Sequence, residues 1–335
     1  MTKIGVLGTG TWGIALSRML VNLGNSVTAW SAISDEIDLL DKTRKHPNLP
    51  YMDIPEGLLF TKSIEGACRE KNIIIIAVPS VYVRDTISNA AIYIESNAII
   101  VDVAKGIEKD TDYTMTEIIS EELKKKGKDN PIVAFSGPTH AEEVARDLPT
   151  TIISASYDDE AARFIQEVFT NDSLRVYTNN DVKGVELCGA IKNVIALATG
   201  IATGLGYGDN ARAALITRGM AEITRLGYAM GCNKETFYGL AGIGDLIVTA
   251  TSQHSRNNRA GQLIGKGYSI EEAKIEVGMV VEGLNTLPAA VQLAERYKVD
   301  MPIVATVQDI VSGVMAPKDA VFALMNREPK EEKPY

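Results

Sequence analysis

Three cysteines in 335 residues, Cys68, Cys188 and Cys232, lie far apart in sequence and form no metal-type spacing. Free thiols in a reducing compartment are therefore expected, and no metal site. A basic excess is also missing: 34 lysines and arginines face 43 aspartates and glutamates, for a net charge of −9. Nucleic acid and anionic membrane surfaces both need a basic face, so neither is expected as a partner. Any anionic small molecule would then have to be held by locally placed cations. The chain does not open with a basic segment and an apolar signal core, which makes the cytoplasm the simplest address. It carries no internal repeat and no low-complexity linker. With 45% hydrophobic and 23% charged residues it has a globular composition, long enough for two domains with cores of their own.

The same scarcity recurs locally. Between Leu187 and Gly208, in LCGAIKNVIALATGIATGLGYG, 22 residues hold one charge, Lys192. At 3.6 residues per turn the side chains within about 60° of Lys192 include Gly189, Ala196, Thr199 and Thr203, while Leu187, Ile191, Val194, Leu197 and Ile201 face elsewhere. A desolvated lysine loses basicity toward neutrality, where it can give and take a proton, and small neighbours leave room for a ligand. Two plainer readings stay open, a lysine that snorkels to water and one that pairs with a structural carboxylate. A membrane span has the length, but five glycines, Asn193 and the lysine itself argue against it.

The chain begins with an apolar strand, Ile4 to Leu7, that runs into Gly8-Thr9-Gly10-Thr11-Trp12-Gly13 and an apolar-periodic segment to about Leu23. Strand, glycine turn and helix in this order form the dinucleotide fingerprint. Gly8 permits the turn, Gly10 lets the backbone approach a pyrophosphate, and Gly13 allows close packing of helix on strand. The helix N-terminus adds free N–H groups and the positive end of a dipole. A second strand, Ser26 to Trp30, should end near an acid for the ribose 2′-hydroxyl, yet the chain reads Trp30-Ser31-Ala32-Ile33-Ser34-Asp35-Glu36. Neither a carboxylate nor an arginine stands at the strand tip, so the choice between NAD and NADP is left open.

Apolar runs at Ile73 to Val78, Ala98 to Val103, Ile132 to Phe135 and Thr151 to Ala155 alternate with helical stretches such as Tyr113 to Lys126. This predicts an α/β domain over 1–180 with a mostly parallel sheet covered on both faces. Helical patterns at 181–204, 210–230 and 284–298 predict an all-helical second domain over 181–326, followed by a charged tail over 327–335. Whether the loop from Lys45 to Pro55 folds over a cofactor or merely connects is open.

Candidate groups cluster at strand ends, where such sheets bind ligands. Val78-Pro79-Ser80 ends one strand. Lys105 in Ala104-Lys105-Gly106 ends the next, and reads either as a ligand-side cation or as a solvated strand-exit lysine. Phe135 to Glu143 ends a further strand and starts a helix, with Gly137 and Thr139 as donors for an anion or carbonyl; His140 is read as a helix-start residue. In the helical half, Asp245 follows the glycine-rich Gly239 to Gly244 and is either functional or a helix cap. Ser255-Arg256-Asn257 joins a hydroxyl, a guanidinium and an amide, a phosphate-binding set unless it is a plain polar loop. Val280-Val281-Glu282-Gly283 places a carboxylate beside a glycine.

Taken together, these blocks resemble the bacterial-type NAD(P)-dependent glycerol-3-phosphate dehydrogenase family over nearly the whole chain. The match is carried by GTGTWG at 8–13, AKGIE at 104–108, SGPTHAEEVA at 136–145, ELCGAIKNVIALATG at 186–200, GLAGIGDLIVTATSQHSRN at 239–257 and VVEG at 280–283. The core Gly189-x-x-Lys192-Asn193 is also similar to the wider β-hydroxyacid dehydrogenases, which implies an all-α C-terminal domain of the 6-phosphogluconate dehydrogenase type. The resemblance implies that Lys192 is the catalytic lysine and that Lys105, Gly137, Thr139, Lys192, Asp245, Ser255, Arg256 and Asn257 hold the substrate. It implies that Thr11, Trp12, Lys105, Ala141, Arg256, Val280 and Glu282, with Gly8, Gly10 and Gly13, line the nicotinamide cofactor, NAD or NADP. Many relatives carry basic residues where Ala32 and Ile33 stand, which sets an NADP preference aside as an open question.

The implied reaction is hydride exchange between NAD(P)H and C2 of dihydroxyacetone phosphate, giving the sn-glycerol 3-phosphate used in glycerophospholipid synthesis. Lys192 would donate the proton, Asp245 would orient it, and Arg256, Ser255 and Asn257 would hold the phosphate. Lys105 is expected to reach a cleft site from the first domain. A homodimer is expected, with the apolar helices as its interface. Two alternatives stand beside this reading: a sibling dehydrogenase acting on a carboxylate substrate, and a non-catalytic dinucleotide sensor.

Overall fold

A computed structural model of the chain describes residues 1–329 and 331–332. Of the tail expected at 327–335, residue 330 and residues 333–335 lie outside the described residues. The chain forms two compact units, Met1–Ala104 with Met115–Val182, and Lys105–Thr114 with the chain from Lys183 onward.

The first unit is built on strands β1 (Lys3–Leu7), β2 (Ser26–Trp30), β3 (Lys45–His46), β4 (Leu49–Asp53), β5 (Leu58–Thr61), β6 (Ile73–Ile76), β7 (Ile99–Asp102), β8 (Ile132–Ser136), β9 (Thr150–Ala155) and β10 (Leu174–Asn179). Eight of them make one sheet in the order β10-β9-β8-β7-β6-β1-β2-β5. All neighbours run parallel except β8 and β9. β6 shows why such a strand reads as an unbroken apolar run: Ile73 and Ile75 pack with Ile4 and Val6 on one face, Ile74 and Ile76 with Leu7 on the other. The chain winds from β1 through β2 to β5 and then crosses back to β6. The β1–β6 boundary is therefore the point where winding direction reverses, and its carboxyl edge is where ligands bind in such sheets.

The loop over 45–55 is not a plain connection. β3 and β4 pair antiparallel, and Leu49, Met52 and Ile54 are buried in the same core as the sheet face.

The second unit is helical and centred on Val182–Gly204. Among the described residues this helix is long and apolar enough to cross a membrane, but its apolar window is wholly buried in the protein. At Thr199, one of the small neighbours of Lys192, and at the adjacent Gly200, the room is taken by a packed helix rather than left for a ligand. A Cβ on Gly200 would come within 2.2 Å of the Asn258 carbonyl oxygen, and one on Gly261 within 2.2 Å of that of Leu197. The helix Arg256–Gly265 thus lies almost backbone to backbone on the stripe, and Asn258 Nδ2 donates to Thr199 Oγ1 at 3.2 Å.

One boundary differs from the sequence expectation, which gave 1–180 wholly to the first domain. Residues 105–114 group with the second unit because their side chains are bonded there. Ile107 is buried in the helical core, Asp112 pairs with Arg296 at 2.6 Å, and Lys105 pairs with Asp245 at 2.8 Å.

Candidate active site

Lys192 is 5% exposed and Asp245 1% exposed, and together they form the centre of the second unit's polar cluster. Asp245 opens the helix Asp245–Thr251 after a turn bent at Gly242, where a Cβ would collide with the Phe237 carbonyl oxygen at 2.1 Å. Its carboxylate makes no capping bond. Instead Oδ1 accepts from Lys192 Nζ, while Oδ2 accepts from Lys105 Nζ at 2.8 Å. Lys192 Nζ also donates to Thr249 Oγ1 at 2.6 Å, and that hydroxyl donates to the Asp245 carbonyl at 2.7 Å. The reading of Lys192 as a snorkelling side chain is thereby excluded.

Two cations share one carboxylate, so the cluster carries an excess positive charge. Burial pushes the Lys192 ammonium down to about 7; Asp245 holds it up, and the neighbouring Lys105 presses it further down. Burial alone would raise the Asp245 carboxyl, but the two ammonium groups outweigh it and hold it below the usual carboxylate range. The arrangement can keep a permanent anion beside a lysine that exchanges its proton near neutral pH.

The next residue along, Asn193, is tied to two other candidates. Asn257 Nδ2 donates to Asn193 Oδ1 at 2.9 Å, and the Gly283 amide donates to Asn257 Oδ1 at 2.8 Å. The Asn257 carboxamide is thus largely spent within the protein, with one N–H left to give. Ser255 caps the helix Arg256–Gly265 by accepting from the Asn258 amide at 3.2 Å. Arg256 is half-buried at the first position of that helix, and its guanidinium makes no hydrogen bond or ion pair with the described residues. Val280 and Glu282 flank buried Val281 at the start of the helix Glu282–Arg296.

In the first unit the fingerprint glycines occupy three different environments. Gly8 has φ +122° and its amide donates to the Trp30 carbonyl at 2.8 Å, with the Ala77 carbonyl 2.6 Å from where a Cβ would stand. Gly13 lies so close to Gly8 that a Cβ would come within 2.2 Å of its carbonyl oxygen. Gly10, at the uncapped N-terminus of the helix Thr11–Asn22, would point a Cβ into open space. An open backbone face at a helix N-terminus, on the carboxyl edge of the β1–β6 boundary, fits a dinucleotide pyrophosphate.

Thr11 is buried and accepts from Asn48 Nδ2 at 3.3 Å, so the β3–β4 hairpin is tied to the start of this helix. Trp12 is half-buried against the core that also contains Ala141, the first residue of the helix Ala141–Val144. His140 is the N-cap residue of that helix, as expected. Thr139 Oγ1 donates to the Gly137 carbonyl at 3.1 Å, and the nearby Ser136 hydroxyl is buried with no partner among the described residues.

One group at this edge was missed by the sequence. Glu36, the third residue of the helix Ser34–Thr43, folds back so that its Oε2 accepts from Thr9 Oγ1 at 2.7 Å and from Ser31 Oγ at 2.6 Å. It stands six positions beyond the last residue of β2, and a search limited to the strand tip passes over it.

Family models match the two halves of the chain in order. Residues 3–162 match the N-terminus, and residues 181–322 the C-terminus, of NAD-dependent glycerol-3-phosphate dehydrogenase. A glycerol-3-phosphate dehydrogenase [NAD(P)+] of Lactobacillus delbrueckii subsp. bulgaricus is 61% identical over 334 residues, covering 99% of both chains. Another of that name from Fusobacterium nucleatum is 48% identical over 334 residues, again covering 99% of each. Among solved structures, glycerol-3-phosphate dehydrogenase from Coxiella burnetii superposes with a TM-score of 0.93 at 36% identity, covering 97% of this chain and 99% of the other. With both halves matched in order and relatives this similar end to end, the chain belongs to the NAD-dependent glycerol-3-phosphate dehydrogenase family.

Proposed function

We propose that the protein interconverts dihydroxyacetone phosphate and sn-glycerol 3-phosphate with a nicotinamide dinucleotide, feeding glycerophospholipid synthesis. The observation that carries the reading is Lys192, buried in an apolar helix with its Nζ bonded to Asp245 and Thr249. The nicotinamide ring, when bound, supplies or takes up the hydride at C2 of the triose. Lys192 as an ammonium gives its proton to the C2 carbonyl oxygen and stabilises the charge that develops there. In the reverse direction the neutral amine takes that proton from the hydroxyl. Asp245 orients Lys192 and keeps it protonated often enough for both directions, since without the carboxylate burial and Lys105 would depress it further.

Arg256, whose guanidinium has no hydrogen bond or ion pair among the described residues, supplies a planar fork for the phosphate. It is aided by Ser255, the remaining Asn257 N–H and the N-terminal amides of the helix Arg256–Gly265. Lys105 adds a second cation beside Asp245, and Gly137 and Thr139 add donors to the substrate set. Thr11, Trp12, Ala141, Val280 and Glu282 serve the cofactor along with the three fingerprint glycines. We further read the protein as a cytoplasmic homodimer. Its three cysteines are buried and none forms a disulfide among the described residues, and Val314, Phe322 and Met325 leave apolar surface exposed for a second copy.

The relatives are named for glycerol 3-phosphate, and no observation favours a carboxylate substrate or a non-catalytic sensor. The test is loss of NADH or NADPH absorbance when dihydroxyacetone phosphate is added to the pure protein. Rapid oxidation is expected. Silence with both dinucleotides, in protein that still binds them, would overturn the reading.

A further inference from the structure

The relatives are named for both NAD and NADP, and neither Ala32 nor Ile33 offers a cation to a 2′-phosphate. The structure supplies what the strand tip lacks. Leu7 of β1 pairs in register with Trp30 of β2, and the Gly8 amide is bonded to the Trp30 carbonyl at 2.8 Å, so Thr9 and Ser31 emerge side by side at the sheet's carboxyl edge. Both hydroxyls donate to the same oxygen, Oε2 of Glu36. Thr9 is 1% and Ser31 8% exposed, so these are fixed donors rather than surface groups in passing contact. The second oxygen, Oε1, accepts nothing from the described residues, and the glutamate is only half-buried.

A carboxylate clamped through one oxygen, with the other free, beside the first glycine of a dinucleotide fingerprint, occupies the place where a ribose hydroxyl is read. We infer that Glu36 makes this protein select NADH over NADPH, with Oε1 accepting the adenosine ribose 2′-hydroxyl and opposing a 2′-phosphate.

The surrounding charge acts the same way. The helix Ser34–Thr43 that carries Glu36 also holds Asp35, Asp38 and Asp41 with one lysine, Lys42, and Asp41 pairs with Arg44 at 2.8 Å. Lys62, a nearby cation, is paired with Asp38 at 2.7 Å. Burial lowers the His46 imidazole below its ordinary value, so that ring adds no positive charge near pH 7. A doubly charged 2′-phosphate would therefore meet the Glu36 carboxylate with the neighbouring cations Lys62 and Arg44 already paired, and would lose the hydroxyl donor as well, which is discrimination by both repulsion and a missing bond.

The competing account is that Glu36 only ties down the start of its helix. That account allows no dependence on what the ligand carries at C2′. The experiment measures calorimetric dissociation constants of NADH, NADPH and 2′-deoxy-NADH for the wild-type protein and for Glu36→Gln, with no triose present. For the wild type, NADH should bind about 10-fold or more tighter than either of the others, the worth of one hydrogen bond to a charged group. In Glu36→Gln that gap should shrink several-fold against 2′-deoxy-NADH, and the NADPH gap should shrink more. Equal wild-type affinities for the three ligands, which needs no variant at all, would overturn the inference. So would a Glu36→Gln variant that weakened all three alike. The inference rests on the dinucleotide half of the proposed function only. A protein that discriminated as stated but left dihydroxyacetone phosphate unreduced would keep Glu36 in its role and remove the triose reading.

Discussion

The two units carry their chemistry in opposite ways. On the proposed reading, the working surface of the first is bare backbone: Gly8, Gly10 and Gly13 matter for the side chains they lack, and the cofactor edge is shaped by how closely strands and helix approach. The working groups of the second, on the same reading, are charges pulled out of water, Lys192 and Asp245, held in place by bonds to Lys105 and Thr249. A steric change should therefore damage the first unit and a change of charge the second, and each kind of change can be aimed at one half of the reaction.

The largest effect is expected at Lys192. Replacing it by alanine should lower kcat by about 10²- to 10⁴-fold, the range general acids contribute. The dissociation constant for NADH, which depends on the first unit's glycine edge, should stay within about 2-fold, well under the tenfold step that one lost charged hydrogen bond brings. Stopped-flow turnover and calorimetry on the same preparation separate the two quantities. A variant that lost both together would end the division of labour.

Next come the glycines, where the structure separates two substitutions of equal size. Gly13→Ala drives a Cβ to 2.2 Å from the Gly8 carbonyl oxygen and should destabilise the fold by about 1–3 kcal/mol. Gly10→Ala meets no protein atom within 4 Å, so its melting temperature should match the wild type. Its dinucleotide affinity should nevertheless fall by about 10-fold, because the added methyl stands where the backbone must approach the pyrophosphate. Equal melting temperatures for the two variants would show that the helix is free to shift away from β1.

These contrasts also explain what was legible in the sequence. Patterns that repeat were readable: β6 as four consecutive isoleucines, the helix Val182–Gly204 as an apolar run, and the fingerprint as strand, turn and helix. Isolated features that depend on tertiary return were not. Glu36 could be found only once the start of its helix was seen to fold back onto Thr9 and Ser31. Residues 105–114 read as the exit of a strand, yet Ile107 and Asp112 find their partners in the helical unit. The small residues beside Lys192 read as room for a ligand, and part of that room is filled by a neighbouring helix that Gly200 and Gly261 let in. A lone lysine in an apolar stretch signalled a buried charge, but which carboxylate would meet it was beyond periodicity, since Asp245 lies 53 positions away.

The pH dependence sharpens the account of the buried charges. If Lys192 is the acid as proposed, reduction of the ketone needs its ammonium, so kcat/KM should fall as pH rises through about 7, and oxidation of the alcohol, which would need the amine, should rise over the same interval. Asp245→Asn removes the group that holds the Lys192 proton on. The limb of the reduction profile should then move to lower pH, in a protein destabilised by about 3–5 kcal/mol because two lysines lose their shared anion. Parallel limbs for the two directions, or no movement in the variant, would remove Lys192 as the titrating group.

The smallest effect tests whether burial of charge in the second unit always marks catalysis. Glu222, in the helix Asp209–Ala229, is 1% exposed and accepts from the Ile303 and Val304 amides at 2.8 and 3.2 Å, at the start of the helix Pro302–Val311. Burial pushes its carboxyl up to about 7, against the pull of those two amides and of Arg225, while Asp300 adds to the push. The folded protein therefore keeps a proton on Glu222 at pH values where the unfolded chain, with an ordinary value near 4.5, has lost it. Stability from this group is complete below that value and drains away as pH rises through about 7, since the unfolded state then binds fewer protons than the folded one. Glu222→Gln is neutral at every pH, so its melting temperature relative to wild type should climb by a few degrees between about pH 4.5 and 7 and level off above. Its turnover should be unchanged, because none of the groups around Glu222 belongs to the Lys192 cluster. A constant offset in melting temperature would mean that Glu222 stays ionised in the folded state, and a fall in turnover would extend the catalytic charge network into the helix packing of the second unit.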